Sequence, residues 1–257
     1  MIFLILAIIQ ARMGSTRLPG KILKEILGQP LLIHLINRLS QARTVDRIVV
    51  ATTSAQADDP VEKLCREKGY NCFRGSENDV LDRFYQAALA SGAREKDAIV
   101  RITGDCPLLD PEVVDKVIKL TVESGADYAS NVNPPTYPDG LDVEVFAFTA
   151  LETAWRKASL VSEREHVTPF MRNNPRIFKQ ANLENNRDLS NLRWTVDEEE
   201  DFAFVKSVYE KLYTEGRVFT TREVVDLLIT HPELITINNK FKRNEGFLKS
   251  LENDSFI

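Results

Sequence analysis

The feature that most constrains the fold is the alternation of short apolar runs with segments of helical period. The first half predicts strands at residues 2–9, 47–52, 71–74 and 98–102, and helices at 30–42, 59–69, 79–91 and 110–124. Asp59-Pro60 and Asp110-Pro111 each supply an N-cap acid followed by a proline at the first helical position. Strands joined by helices require crossover connections, which make neighbouring strands parallel. The pattern therefore predicts an α/β fold with a mainly parallel sheet and helices on both faces.

The second half of the chain has a different pattern, in which a Pro/Gly loop precedes weaker signals. This half predicts an alternating strand at residues 141–146, a helix that begins at a Ser162/Glu165 capping box and is kinked or ended by Pro169, a strand at 192–196, a helix at 199–214 and a Thr220-capped helix to 230. We interpret residues 1–237 as one domain, with a first half at about 1–130 and a second half at 131–237. Residues 238–257 are predicted to form a polar C-terminal tail, either peripheral or a dimer arm.

The composition excludes several classes of function. A net charge of -5 argues against a general nucleic-acid surface, which would carry a basic excess. Cys65, Cys72 and Cys106 are odd in number and form no CxxC pair, so neither a zinc site nor a disulfide framework is expected. The apolar N-terminal run is too short to span a bilayer. These observations predict a cytoplasmic protein without nucleic-acid or membrane partners.

The loop after the first strand is basic and rich in small residues. Arg12, Arg17 and Lys21 lie among Gly14, Ser15, Thr16, Pro19 and Gly20. Ligands of open α/β sheets bind beyond the carboxyl ends of the strands, so this loop is a candidate anion site. It is not a P-loop, because Ile22 stands where that motif needs a metal-binding hydroxyl. A type II turn at Pro19-Gly20 would aim Lys21 back toward the loop. A solvated turn with incidental basic residues remains the alternative.

Longer motifs carry a resemblance to a known family. AIIQARMGSTRLPGKIL (7–23) resembles the signature of nucleotidyltransferases that activate sugars, and most of all cytidylyltransferases of the spore-coat-polysaccharide type. CMP-Kdo synthetase and acylneuraminate cytidylyltransferase are more distant in likeness. Further matches follow in the right order: FRGSENDVLDRF (73–84), RITGDCPLLDPEVVD (101–115), YPDGLDVEVF (137–146), SEREHVTPF (162–170) and RWTVDEEEDF (193–202).

The resemblance implies both a fold and a reaction. The fold would be a Rossmann-like, GT-A-type, three-layer nucleotidyltransferase fold with a mainly parallel mixed sheet. The reaction would be the Mg²⁺-dependent transfer of CMP from CTP to a sugar, which releases pyrophosphate and serves surface polysaccharide or glycan biosynthesis. CTP and a small sugar acceptor, with an acidic sugar favoured, would be the partners, and a homodimer is expected.

The resemblance also implies roles for individual residues. Asp105 and Asp197 match the family's metal ligands, and the alternative for each is a helix N-cap. Arg12 and Lys21 match positions that contact the triphosphate, and together with Asp105 they are the predicted catalytic residues. The nucleotide-binding set is Arg12, Ser15, Arg17, Lys21, Arg74, Ser76, Asn78, Arg83 and Thr103. For Arg83 the alternative is an ion pair with a neighbouring carboxylate, and for Arg17 the alternative is that it only braces the loop. CMP-Kdo synthetases have Gln where this chain has Thr103, so recognition of the base cannot be carried over there.

The acceptor site is predicted from two features of the second half. Alternation along 141–146 puts Asp142 and Glu144 on one strand face, where carboxylates could bind sugar hydroxyl groups. Arg164 and His166 cluster at a helix start, and Arg164 could pair with an acceptor's carboxylate or phosphate. A solvated strand face and a structural ionic cluster are the alternatives. His34, in the apolar LLIHLI, is predicted to be a core histidine.

Other functions remain open from the sequence alone. A related enzyme could use another NTP and a phosphorylated acceptor. A GT-A glycosyltransferase is a further alternative, but Gly104-Asp105-Cys106-Pro107 lacks the second aspartate of a D-x-D motif. A non-catalytic relative is disfavoured because both predicted metal ligands and both loop cations are present.

Overall fold

The computed structural model describes residues 4–256, whose centre is a seven-stranded mixed sheet. The strands are β1 Ile5–Gln10, β2 Glu25–Ile26, β3 Gln29–Pro30, β4 Arg47–Thr53, β5 Asn71–Gly75, β6 Ala98–Thr103, β7 Tyr128–Ser130, β8 Glu144–Ala147 and β9 Gln180–Asn182. The large sheet has the order β5-β4-β1-β6-β8-β7-β9, and β2 pairs with β3. Strands β5, β4, β1 and β6 are parallel, whereas β8 runs antiparallel to both of its neighbours.

Ten α-helices accompany the strands in this part of the chain. They are α1 Leu31–Leu39, α2 Asp59–Lys68, α3 Val80–Ala90, α4 Pro111–Ser124, α5 Phe148–Lys157, α6 Val161–His166, α7 Pro169–Asn173, α8 Glu199–Leu212, α9 Thr221–Thr230 and α10 Glu245–Glu252. Short 3₁₀ turns cover Lys21–Leu23, Gln56–Asp58 and Pro232–Ile237. None of the helices between residues 4 and 256 has the length and apolar content that a membrane span needs.

The sheet separates two hydrophobic cores, as its alternating side chains require. Along β1, Ala7 and Ile9 join a core built with α1, α4, α8 and α9, while Leu6 and Ile8 join a core built with α3 and α5. All four side chains are fully buried. The predicted mainly parallel sheet with helices on both faces is confirmed. Of the predicted first strand, residues 2 and 3 lie outside the described part of the chain.

Local signals placed most helix ends correctly. The Asp110 side chain accepts a hydrogen bond from the Glu112 amide at 2.9 Å, and Thr220 forms a capping box with Glu223. Gly69 ends α2 with a φ of 73°. The predicted N-cap of α2 is wrong, because Asp58, not Asp59, precedes the helix. The Asp58 carboxylate does not cap α2 but accepts hydrogen bonds from the Met13 amide and the Thr53 hydroxyl.

Three sequence predictions in the second half are wrong in detail. Helix α6 begins at Val161, and Glu163, rather than the Ser162/Glu165 pair, accepts the amides of the preceding residues. The alternating strand is shorter than 141–146, because only Glu144–Ala147 pairs with β6 and β7. Residues 192–196 form a single bridge, Asp139 to Arg193, and no strand.

Residues 192–196 contact two loops instead of a sheet edge. The Trp194 amide donates to the Asp139 carbonyl at 2.6 Å, and the Val196 amide donates to the Asp105 carbonyl at 2.9 Å. Gly140, with a φ of 104°, permits the close approach, since a Cβ there would lie 2.5 Å from the Thr195 nitrogen. This contact brings residue 197 to the carboxyl end of β6.

The C-terminal segment folds back onto α6. The Asp254 carboxylate accepts hydrogen bonds from the amide and the hydroxyl of Ser162, at 2.9 and 2.6 Å. Leu160 forms a β-bridge with Phe256. Helix α10 thereby lies beside the carboxyl edge of the central strands.

Candidate active site

A cleft of about 480 Å³ opens where β1 and β6 end. Gln10 and Thr103, the last residues of these two strands, lie at its base. Its walls come from the loop after β1, the turn after β6, the start of α8, helix α6 and helix α10: Arg12, Gly14, Ser15, Thr16, Arg17, Lys21, Ile22, Gly104, Asp105, Glu165, His166, Asp197, Gly246, Lys249 and Ser250. The cleft thus occupies the edge where parallel α/β sheets bind ligands.

The loop after β1 is closed by its own backbone. The Met13 carbonyl accepts hydrogen bonds from the amides of Ser15 and Gly20, at 2.8 and 3.2 Å. Gly20 has a φ of 68°, and the Lys21 amide donates to the Leu18 carbonyl at 3.2 Å, which confirms the predicted type II turn. Lys21 therefore turns back into the cleft. The Ser15 hydroxyl is used within the loop, where it accepts from the Leu18 amide at 3.2 Å.

Lys21 lies between the two predicted metal ligands. Its Nζ donates to Asp105 Oδ2 at 2.6 Å and to Asp197 Oδ1 at 2.8 Å. Burial lowers the pKa of Lys21, but the two carboxylates outweigh it and the pKa is raised. Burial raises the pKa of Asp105, but Lys21 reverses the effect and that pKa is lowered. Lys21 and Asp105 are therefore both charged at neutral pH.

The aspartates are held by contacts that exclude the helix-cap alternative. Asp197 binds Lys21, Arg17 and Arg193 through its side chain, with the Arg17 and Arg193 contacts at 3.0 and 3.1 Å. The amide of Asp197 is bound by the carboxylate of Asp201, which caps α8. Asp105 follows β6, and no helix begins directly after it. Both carboxylates consequently face the cleft.

This pair fits a magnesium site of the kind that a nucleotide completes. Mg²⁺ is typically held by one or two protein carboxylates, with phosphate oxygens and waters in the remaining positions. The oxygens of Asp105 and Asp197 converge on one cation, the Lys21 ammonium, so the protein already places two carboxylates around a positive charge. Between residues 4 and 256 no group of three or more His, Cys, Asp or Glu side chains could hold a metal.

The other loop cations differ in their surroundings. Arg17 pairs with Asp197, Glu198 and Glu245, at 3.0, 3.3 and 3.7 Å. Arg12 lines the cleft and has no ion-pair partner in the described part of the chain. Among the loop cations, Arg12 is therefore the one whose charge is free to meet an anionic ligand.

The residues predicted to bind the nucleotide from the motif at 73–84 do not line the cleft. The Arg74 guanidinium lies outside the cleft, paired with Asp59 and Glu62 at 2.7 and 2.8 Å. Ser76 accepts the amide of Asp79 at 3.0 Å, while Asn78 is exposed; neither lines the cleft. Thr103, by contrast, is at its base.

Arg83 is fully buried next to the loop. Its Nη1 donates to the Ser76 carbonyl at 2.6 Å, but its Nε and Nη2 have no partner. The predicted alternative, an ion pair, is absent from the contacts within residues 4–256. The pKa of Arg83 is lowered to about 10, mainly by burial and secondly by repulsion from Arg12. Arg83 thus adds positive potential beneath Arg12 without lining the cleft itself.

Three of the four predicted acceptor residues have other partners. Glu144 is buried, where it accepts from Arg101 at 2.5 Å and from the Tyr128 hydroxyl at 2.6 Å. Burial raises its pKa, but Arg101 outweighs this and the pKa is lowered. Asp142 pairs with Arg243. Neither the predicted acceptor-binding face nor its alternative, a solvated strand face, describes these carboxylates, because Glu144 is buried and both side chains are paired with arginines.

Arg164 is likewise a structural residue. Its guanidinium binds the Asp79 carboxylate through Nε and Nη2, and its Nη1 donates to the Trp155 carbonyl at 2.6 Å. Asp79 also caps α3, so Arg164 fastens α6 to the start of that helix. This geometry corresponds to the structural ionic cluster that the sequence left open.

His166 lines the cleft within a hydrogen-bonded group that crosses to α10. The Ser250 hydroxyl lies 2.9 Å from His166 Nε2 and 2.8 Å from Glu165 Oε2. Burial, together with Arg101 and Arg172, lowers the pKa of His166 to about 4. His34, by contrast, is buried against Ile26 and Tyr209, as predicted for a core histidine.

Several residues of the cleft were missed by sequence reasoning. Gln10 could have been found, because it directly follows the apolar run of β1. Lys249 and Ser250 gave no signal, since they lie in a polar tail more than 80 residues beyond their α6 neighbours.

Comparison with known proteins identifies the family of the chain. A family model described as cytidylyltransferase matches residues 6–230. Over 93% of its length the chain is 40% identical to uncharacterized protein MJ1063 of Methanocaldococcus jannaschii, 96% of which is covered. It is 36% identical over 90% of its length to the spore coat polysaccharide biosynthesis protein SpsF of Bacillus subtilis, 97% of which is covered.

A solved structure is similar over the same range. A cytidylyltransferase from Leptospira borgpetersenii serovar Hardjo-bovis superposes with a TM-score of 0.84 at 33% identity, covering 90% of this chain and 96% of its own. The match to the family extends through the loop after β1, the turn after β6 and the start of α8, which together build the cleft. The chain therefore belongs to the cytidylyltransferase family.

Proposed function

We propose that the protein transfers CMP from CTP to a sugar, with release of pyrophosphate, in the biosynthesis of a surface polysaccharide or glycan. The observation that carries this proposal is the convergence of Arg12, Lys21, Asp105 and Asp197 in one cleft. Membership of the cytidylyltransferase family supports CTP as the donor. The printed role of SpsF in spore coat polysaccharide biosynthesis supports a sugar as the acceptor.

The side chains suit the charge that develops in this reaction. An acceptor oxygen attacks the α-phosphorus while the bond to pyrophosphate breaks, so negative charge accumulates on the leaving group. Arg12 and Lys21 lie on the loop where they would stabilise that charge, and Arg83 adds positive potential from below. Asp105 and Asp197 would hold Mg²⁺, which neutralises phosphate charge when bound.

Fewer residues of the cleft can be assigned to recognition of the nucleobase than to binding of the phosphates. Thr103 and Gln10 lie at the base of the cleft, and Gln10 Oε1 is buried without a partner. A buried acceptor of this kind costs stability unless a ligand donates to it, so it is a candidate contact for an exocyclic amino group. Cytosine carries such a group and uracil does not.

The function is tested by pyrophosphate release. We would incubate the protein with Mg²⁺, each of the four NTPs, and a panel of acidic sugars, sugar phosphates and neutral sugars. CTP should support release with at least one sugar, and the other NTPs should not. Preference for another NTP with a sugar phosphate would replace the proposal with the related nucleotidyltransferase activity. Release with no combination would reject it.

A further inference from the structure

Helix α10 forms one wall of the active-site cleft, although it lies beyond residues 6–230 that match the family. At its start, Glu245 pairs with Arg17 of the loop at 3.7 Å. Near its end, the Ser250 hydroxyl contacts both Glu165 and His166 of α6. The helix therefore bridges the loop that faces the triphosphate and the α6 side of the cleft.

This position is fixed by contacts on both sides of α10. Before the helix, Arg243 pairs with Asp142 and donates to the Tyr137 carbonyl at 2.9 Å. After it, Asp254 accepts two hydrogen bonds from Ser162. Within the helix, the Phe247 ring packs edge-on against His166 at 5.1 Å. The wall is thus part of the folded domain.

Two of the cations that line the cleft have no ion-pair partner within residues 4–256, namely Arg12 and Lys249. Lys21 and Arg17 are each matched by carboxylates. Arg12 belongs to the loop predicted to face the triphosphate. Lys249 belongs to α10 and neighbours Ser250, whose contacts are with α6. The two unmatched charges therefore stand on different walls, which suits two different anionic groups.

Hydrogen-bond acceptors accompany Lys249 on this side. A serine hydroxyl has one proton, and the Glu165 carboxylate, at 2.8 Å, is the strongest acceptor near Ser250. The Ser250 oxygen then accepts from His166 Nε2–H, which leaves Nδ1 as the acceptor of the neutral ring. The α6–α10 side thus combines one cation with a carboxylate and an imidazole that can accept from hydroxyl groups.

We propose that Lys249 binds the anionic group of the acceptor sugar, while Glu165 and His166 accept hydrogen bonds from its hydroxyl groups. Lys249 is then a specificity-determining residue that selects acidic sugars or sugar phosphates over neutral ones. This inference rests on the proposed function for the identity of the acceptor. It assigns to the C-terminal helix the role that Arg164 cannot take, because Arg164 is bound to Asp79.

The test compares full-length Lys249→Ala and Lys249→Arg with Lys242→Ala as the matched control. The Lys242 side chain is exposed just before α10 and lines no part of the cleft, so its loss removes the same charge elsewhere. Calorimetry would measure binding of 3-deoxy-manno-octulosonate, glucose 1-phosphate and glucose to protein saturated with a non-hydrolysable CTP analogue. The affinity for CTP would be measured separately.

We expect an anionic probe to bind and glucose not to bind. Lys249→Ala should weaken that binding about 10- to 100-fold, the loss typical of one charge-assisted contact. Lys249→Arg should retain most of the affinity, and Lys242→Ala should match the wild type. The affinity for CTP should be unchanged in all three variants.

Equal binding of the anionic probe by the wild type and Lys249→Ala would overturn the proposal, as would binding of glucose alone or of no probe. A drop in CTP affinity in Lys249→Ala would also overturn it, by placing Lys249 at the triphosphate. Failure of the proposed function is seen separately, as absence of CTP-dependent pyrophosphate release. In that case Lys249-dependent binding of an anionic probe would still identify an anion site on α10.

Discussion

At the scale of single residues, Arg12 and Lys21 belong to one loop but have opposite surroundings. Lys21 is paired with two carboxylates, whereas Arg12 has no ion-pair partner between residues 4 and 256. Burial and the charge of Arg12 also depress the pKa of Arg83. An anion beside Arg12 would relieve this repulsion, so the two arginines favour a polyanionic ligand over a singly charged one.

We expect Arg12→Ala to weaken CTP binding about 10- to 100-fold, because one charge-assisted contact is lost. CMP binding should change far less, since CMP lacks the β- and γ-phosphates that the loop is proposed to meet. Isothermal titration with both nucleotides measures the difference. Arg66→Ala is the matched control, because Arg66 is exposed on α2, a helix that lines no part of the cleft. Equal losses for CTP and CMP would contradict this role.

His166 gives a pH-dependent contribution to stability. Its pKa is about 4 in the fold, because of burial and the nearby arginines, against 6.5 for a free histidine. Between these values the unfolded chain binds the extra proton, so this contribution is full above pH 6.5 and is lost as the pH falls toward 4.

His166→Gln should therefore make the free energy of unfolding less steep in pH between 6.5 and 4, as measured by urea denaturation at a series of pH values. An unchanged slope in His166→Gln would show that His166 titrates normally in the folded protein.

At the scale of elements, local sequence signals predict the helices well but predict poorly which distant residues the side chains contact. Asp110 and Thr220 cap their helices as expected, because a cap is decided within four residues of chain. Asp142 and Glu144 were assigned to an exposed strand face because alternation reports periodicity and not what covers each face. The sequence predicts that Arg164 binds the acceptor, because its actual partner, Asp79, is 85 residues away in sequence. Nothing in the local pattern indicates such a contact.

Arg164→Ala should lower the free energy of unfolding by about 1.5–3 kcal/mol, because it removes a charged hydrogen-bond partner of Asp79 and uncouples α6 from α3. Denaturant titration would measure this. Arg156→Ala, which removes an exposed ion pair with Glu152, should lower the free energy of unfolding by much less than Arg164→Ala does. Similar losses in both variants would show that the Arg164 contact is no stronger than a surface pair.

At the scale of the whole molecule, the two halves of the chain meet at the site. The half predicted to bind the nucleotide, residues 1–130, supplies the loop after β1 and Asp105. The later half, predicted for the acceptor or a dimer contact, supplies Asp197 and α6, and the C-terminal tail supplies α10. Residues 192–196 join the two halves, because the Val196 amide donates to the Asp105 carbonyl at 2.9 Å. Within the later half, Arg193 is buried and pairs with Asp139, Asp197 and Asp201. The architecture and the two metal-binding candidates could be predicted from the sequence; the closing tail could not. The homodimer and the cytoplasmic location stay predictions.

Gly140 is where this joint is most sensitive. Gly140→Ala would place a Cβ 2.5 Å from the Thr195 nitrogen and strain a residue with a φ of 104°. Gly69→Ala is the control, because Gly69 also has a positive φ but no atom within 4 Å of the added Cβ. We expect Gly140→Ala to reduce the free energy of unfolding by at least about 2 kcal/mol more than Gly69→Ala. Equal reductions would show that backbone strain alone matters.

The ammonium of Lys21 is a counter-ion for both Asp105 and Asp197. A ligand that brings only negative charge gains Lys21 as a partner only by drawing it away from Asp105 and Asp197, which then repel each other. A divalent cation alone must displace Lys21 without offering it a new partner. A nucleotide that arrives with its cation satisfies both sides, so binding becomes an exchange of partners. We therefore expect positive thermodynamic linkage between the nucleotide and Mg²⁺, each tightening the binding of the other.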